Sequence, residues 1–245
     1  MNTWTTDGYR VNAAFVPALG RAVLELLAPQ SGERILDLGC GEGSLTEQLV
    51  AAGATVVGVD TSKAFVAASR ERGLDARMMD AESLTFDREF DAVFSNAAMH
   101  WMLRPDRVLD GVTRALRPGG RFVSEFGGHG CVAAVQVALR AVLARRGITL
   151  VSPWYMPTDD EYRTKLEAHG FSVHEMALIP RPTPLPTGMA GWLATFAGPI
   201  LRQLPEDTRA DAMCEMEDLL RPVLCDSSGR WTADYVRLRF SATLT

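Results

Sequence analysis

Glycine occupies every second position in Gly39-Cys40-Gly41-Glu42-Gly43, directly after the apolar run Ile35-Leu36-Asp37-Leu38. Glycine permits positive φ and lets main chain approach a ligand closely. The helix expected to start near Ser44 points free N–H groups and a partial positive charge into the same space. Asp37 adds an acceptor near the end of the preceding strand. This set of groups suits binding rather than bond-breaking, and its natural partner is a nucleotide-like ligand that carries an ammonium group.

The turn differs from the dinucleotide fingerprint G-x-G-x-x-G. Its third glycine, Gly43, comes one residue early, and Ser44 stands where that fingerprint has glycine. Asp37 is also foreign to it. These differences exclude a nicotinamide oxidoreductase. Asp60 ends the next apolar run, Thr55 to Val59, about 20 residues beyond the first glycine, where a carboxylate reaches both hydroxyls of a ribose.

The elements that must position these residues follow from apolar periodicity. Strands are expected near 34–38, 55–60, 75–79, 91–95 and 121–126, with helices near 44–52, 63–72, 104–117 and 131–146. An earlier helix over 12–28 ends before Pro29. Alternating strands and helices predict an α/β, doubly wound, mostly parallel sheet with helices on both faces. In such sheets ligands sit beyond the carboxyl ends of the strands. Asp37, Asp60, Asp80 and Ser95-Asn96 all fall at such ends. After Gly147 comes an aromatic loop at 152–157, a helix near 159–168 and a sixth strand over 171–179. Pro180, Pro182, Pro184 and Pro186 are then expected to end regular structure. Helices near 189–203 and 206–224 and a last strand, Trp231 to Leu244, complete the chain.

The 245 residues suffice for one domain with a substantial core. The formal net charge is −5, and no basic stripe marks a nucleic-acid binder. Four cysteines without paired spacing suit a reducing compartment. The polar stretch Met1 to Arg10 lacks a signal pattern, and no apolar run approaches the roughly 20 residues that span a bilayer. The expectation is a cytoplasmic protein that contacts neither nucleic acid nor membrane, is a monomer or homodimer, and has no metal site.

Together these residues resemble a class I S-adenosylmethionine-dependent methyltransferase. The likeness continues through Asp80-Ala81-Glu82 after the third strand, Phe90 to Trp101 across the fourth strand and its loop, and Ala115 to Phe122 leading into the fifth. The segment Asn96 to Trp101 and the layout of the last third are similar to the trans-aconitate methyltransferase group. The resemblance implies a Rossmann-like sheet of seven strands whose last strand is antiparallel, with a helical cap inserted between strands six and seven. The single domain, 1–245, would then divide into an amino-terminal helix and lid (1–30), a cofactor-binding core (31–180), the cap (181–229) and the final strand (230–245).

It further implies S-adenosylmethionine as cofactor, with contacts at Asp37 (the ammonium), Gly39, Cys40 and Gly41 (the turn), Asp60 and Thr61 (the ribose), Asp80 and Ala81 (the adenine), and Ser95 and Asn96. His100 is the catalytic candidate, either as a base or as a group that orients an already ionised carboxylate. A plain loop histidine remains open. The substrate candidates are Tyr9 in a lid, Trp101, His129, Trp154, Tyr155, and Arg181 as the partner of an anion. The activity implied is methyl transfer to a small-molecule acceptor at a carboxylate or hydroxyl oxygen. A cofactor-binding regulatory module and a protein or nucleic-acid methyltransferase are the alternatives. The cap segment offers only Arg181, Arg202, Arg209 and Arg221 as cations, which fits a less charged acceptor than a tricarboxylate.

Overall fold

Each inner strand is an almost unbroken apolar run because both of its faces are covered. In β1 (Arg34–Leu38) four of the five residues are buried. The computed structural model describes residues 19–245. In it α1 (Arg21–Leu27) precedes β1, and α2 (Ser44–Ala51), β2 (Thr55–Asp60), α3 (Lys63–Glu71), β3 (Asp75–Met78), β4 (Phe90–Asn96), α4 (Pro105–Ala115) and β5 (Leu116–Gly127) follow in alternation. Local chemistry sets several of the boundaries. Ser62 caps α3 by accepting from the Phe65 N–H. Pro105, which has no N–H to lose, opens α4.

The second half holds α5 (Ala133–Ala144), α6 (Asp159–Ala168), β6 (Phe171–Pro184), α7 (Gly188–Phe196), α8 (Gly198–Leu201), α9 (Arg209–Leu224) and β7 (Thr232–Leu244). The seven strands run in the order β3-β2-β1-β4-β5-β7-β6. The first five are parallel, and β7 is antiparallel to both β5 and β6. The order reverses between β1 and β4, so the chain leaves a crevice at their carboxyl ends. Apolar cores lie on both faces of the sheet. A third, built from α5, α7, α8 and α9, seats the helices inserted between β6 and β7.

The sixth strand does not stop at 179 but continues to Pro184. It is an edge strand, and prolines two residues apart leave all their missing donors on one side, which an edge can turn to solvent. The inserted segment therefore begins beyond 184 rather than at 181, and Arg181 lies within β6 opposite Tyr235. The fifth strand starts earlier than expected, at Leu116, with a register shift opposite Phe90 and Ala92.

One ion cluster ties the antiparallel end together. Glu125 on β5 is only 2% exposed. Its carboxylate accepts two hydrogen bonds from Arg181 on β6, at 2.5 and 2.6 Å, and one from Arg239 on β7, at 2.8 Å.

Candidate active site

The glycine turn between β1 and α2 forms the floor of the crevice. Gly39 has φ +78°, and a Cβ there would lie 2.3 Å from that of Ala98. Gly41 has φ +56°, and a Cβ there would meet nothing within 4 Å. One glycine lets the β4 loop pack against the turn, and the other leaves bare main chain facing open space. Asp60 fixes the turn from the end of β2. Its Oδ2 accepts from the Gly41 N–H at 3.0 Å and its Oδ1 from the Ser62 N–H at 2.8 Å. Burial raises the proton affinity of this carboxyl, opposed by its backbone hydrogen bonds.

Two cavities meet at this turn, and Gly39, Asp60, Ala98 and Trp101 line both. The outer one, about 490 Å³, also has Thr61, Asp80 and Ala81 in its wall. Asp80 holds its own loop by accepting from the Glu82 N–H at 2.9 Å. The inner one, about 100 Å³, is lined by Asn96, His100 and an aromatic wall. In that wall the Trp101 and Trp154 rings are 5.8 Å apart, Trp154 and Trp192 6.3 Å, and Trp192 and Phe196 5.3 Å. Two non-glycine residues of positive φ, Ala97 (+56°) and Val132 (+47°), border the inner cavity. Such strain gathers where a site over-determines its backbone.

His100 sits in the turn Met99–Trp101 after β4 and is buried. The Gly127 N–H donates to its Nδ1 at 3.3 Å, so the neutral ring carries its proton on Nε2. Burial, and then the charge of Arg237, holds its pKa well below the usual histidine range. The side chain is therefore a neutral donor at physiological pH.

Asp37 is fully buried beneath the turn and lines neither cavity. The Thr46 hydroxyl donates to its Oδ2 at 2.6 Å. Burial, opposed by Thr46 and reinforced by the Asp60 charge, pushes its pKa up to about 7. A folded-state pKa raised above the unfolded value favours folding at low pH, and that contribution fades as pH rises through about 7. Asp37→Asn, which can still accept from Thr46, is expected to melt higher than the natural protein at pH 8. The gap should be on the order of 4 kcal/mol, from the rise of this carboxyl from 3.8 to about 7, and should close as pH falls towards 4. Thermal denaturation without ligand across that range is the check, and a gap independent of pH would contradict it.

Of the residues singled out in the sequence, Gly39, Gly41, Asp60, Thr61, Asp80, Ala81, Asn96, His100, Trp101 and Trp154 line the joined cavities. Others do not. Cys40 turns towards β2, where its Sγ fills the space a Cβ on Gly58 would need. Ser95 donates its hydroxyl to the Leu38 carbonyl at 2.7 Å and is buried. His129 is an exposed residue tied by its backbone to Pro157. Tyr155 packs against Tyr162 in the core, and burial pushes its phenol up to about 12. Arg181 is held by Glu125. Tyr9 lies outside the described residues. Trp192 and Phe196 of α7 also reach the inner cavity. Tyr235 and Arg237 of β7 line it too, unanticipated. Their signal was a pair of arginines, Arg237 and Arg239, on one face of an alternating strand. Among the described residues no group of three or more His, Cys, Asp or Glu side chains could hold a metal ion, and no helix is long and apolar enough to cross a membrane.

A nucleoside cofactor fits these residues, since the space over Gly41 is unobstructed and Asp60 and Asp80 border the outer cavity that adjoins it at Gly39 and Asp60. Residues 36–124 match the family model described as a methyltransferase domain. An uncharacterized methyltransferase of Schizosaccharomyces pombe is 36% identical, across 98% of this chain and 97% of its own length. A trans-aconitate 2-methyltransferase of Mycolicibacterium gilvum is 42% identical, but over only 37% of this chain and 38% of its own. Among solved structures, Haemonchus contortus phosphoethanolamine N-methyltransferase 2, in complex with phosphomonomethylethanolamine and S-adenosylhomocysteine, shares the fold. It has a TM-score of 0.59 and 19% identity, over 93% of this chain and 52% of that one. The YcgJ protein of Bacillus subtilis shares it with a TM-score of 0.60 and 17% identity, over 93% and 97%. The chain belongs to the class I S-adenosylmethionine-dependent methyltransferases, and S-adenosylmethionine is its cofactor.

Proposed function

We propose that this enzyme methylates an oxygen of a small-molecule acceptor, foremost a carboxylate, and acts in the cytoplasm as a monomer or homodimer. In this reading the outer cavity takes the nucleoside. Asp60 accepts from the ribose hydroxyls, Asp80 and Ala81 meet the adenine edge, and the bare backbone at Gly41 lets the methionine portion lie close. Asp37 acts from beneath the turn, through its charge and its hold on Thr46, rather than by contact. The inner cavity takes the acceptor, and Trp101 stands at the junction.

The observation that carries the proposal is the Gly127 N–H on His100 Nδ1. With its proton on Nε2, the ring can donate to an acceptor oxygen but has no free lone pair to accept a proton there. The nucleophile must then arrive ionised, as carboxylates do at neutral pH. Bound S-adenosylmethionine would supply a methyl carbon on a cationic sulfur, and an ionised carboxylate held against it would need no proton moved, since the products would be a neutral ester and a neutral thioether. The residues of the chain align the reactants and exclude water, and fixed near-attack geometry can supply roughly 7–11 kcal/mol.

The test is transfer of a labelled methyl group to small acids, phenols and amines. Label in a base-labile ester is expected, and label in amines alone would overturn the reading. His100→Gln should lower kcat less than tenfold, and neither protein should show a histidine limb between pH 6 and 8 in its rate profile. A loss above 100-fold together with a vanished limb would make His100 a base.

A further inference from the structure

Arg237 stands in the wall of the inner cavity and is 5% exposed. Its Nε is sealed from solvent and has no hydrogen-bond partner, and among the described residues the guanidinium forms no ion pair. Its register partner on β5 is Gly127, which offers no side chain, and on β6 it is Ile179, which is apolar. The carboxylate one step along the sheet, Glu125, is already engaged by Arg181 and Arg239. Asp234, on the opposite face of β7 by strand alternation, accepts from the Ala134 N–H at the start of α5. Three arginines therefore share one glutamate on this part of the sheet, and the one facing the cavity is left over.

A buried guanidinium without a counter-charge is costly, and removing it is commonly stabilising. This one is nonetheless held in place. Its Cζ lies 4.7 Å over the Tyr235 ring, and the Tyr235 hydroxyl is in turn fixed by Trp192 Nε1 at 2.6 Å. Such a clamp presents a planar fork of donors, a shape that matches a carboxylate. His100 lines the same cavity, with its Nε2–H as a further donor.

We propose that Arg237 is the anion anchor of the acceptor site, and that the acceptor is a small monocarboxylic acid whose apolar body lies against Trp154, Trp192 and Phe196. The inference rests on the reading that the inner cavity receives the acceptor. It replaces Arg181 by Arg237 as the cation that meets the substrate, and it disfavours amines, which this charge would repel.

The probes are benzoate, phenylacetate and hexanoate, each paired with its neutral amide. They are titrated calorimetrically into the full-length protein saturated with S-adenosylhomocysteine. At least one acid should bind tenfold or more tightly than its amide, and Arg237→Gln and Arg237→Met should abolish that preference while leaving S-adenosylhomocysteine affinity within threefold. The free Arg237→Met protein should melt no lower than the natural one. No acid preferred over its amide, or a preference that survives in both variants, overturns the proposal. So does a tenfold loss of S-adenosylhomocysteine affinity, which would make the cofactor's own carboxylate the counter-ion. A Tm drop above 5 °C in Arg237→Met would assign Arg237 a structural role instead. The labelled-methyl screen separates the two readings. Acids that bind through Arg237 without being methylated leave the anchor standing and remove the ester chemistry, whereas phenols methylated with no acid bound do the reverse.

Discussion

Asp60→Ala is expected to weaken S-adenosylmethionine binding about 100-fold, close to 2.7 kcal/mol. Two losses combine. The first is a pair of hydrogen bonds from ribose hydroxyls to a carboxylate, a type of bond worth about 1.5–3 kcal/mol each. The second is the brace on the glycine turn, because the Gly41 and Ser62 N–H groups both donate to this side chain. Asp60→Asn separates them, since the amide keeps one acceptor for the turn and lacks the charge. Its affinity should fall between that of the natural protein and Asp60→Ala. Calorimetry with S-adenosylhomocysteine reads the effect, with thermal denaturation to verify folding. Equal affinity in all three proteins would remove the ribose assignment.

Glu125→Ala should destabilise the fold by about 3–5 kcal/mol, the usual cost of removing one partner from a buried ion cluster. For a chain of this size that lowers Tm by roughly 10 °C. The lost attraction matters less than what remains, which is two guanidinium groups from different strands, mostly shielded from water, facing each other without a counter-charge. Adding Arg181→Met and Arg239→Met to the variant should restore much of the stability, since an apolar cluster of similar volume has no charge to desolvate. A loss under 1 kcal/mol for Glu125→Ala alone would place the cluster with ordinary surface pairs.

The sequence revealed most where function is local along the chain. The β1 turn, its flanking Asp37, and Asp60 and Asp80 at successive strand ends could be found because a parallel sheet delivers strand ends to one edge. Which way a side chain points was less legible. Asp37 and Gly39 are two residues apart, yet the acid faces the interior and the glycine faces the cavity. Ser95 and Asn96 are neighbours, but alternation sends one hydroxyl to the Leu38 carbonyl and the other side chain to the inner cavity. Arg181 and Arg237 looked alike as arginines in the last third of the chain. Only the pairing of β5, β6 and β7 reveals that the first meets Glu125 while the second meets no carboxylate. The prolines of β6 were misread for a related reason, because a strand's place at the rim of a sheet is a tertiary fact.

Those prolines have a consequence for self-association. An open sheet with two rims invites unrelated chains to add strands and grow fibrils. One rim, β3, is only four residues long and carries the Asp75–Arg77 ion pair. The other, β6, is fourteen residues long, and Pro180, Pro182 and Pro184 strip donors from its distal end while His174 and Glu175 lie exposed nearer its start. Both flanks of the sheet are thereby poor templates for a further strand, the first through brevity and charge and the second through a comb of absent amides.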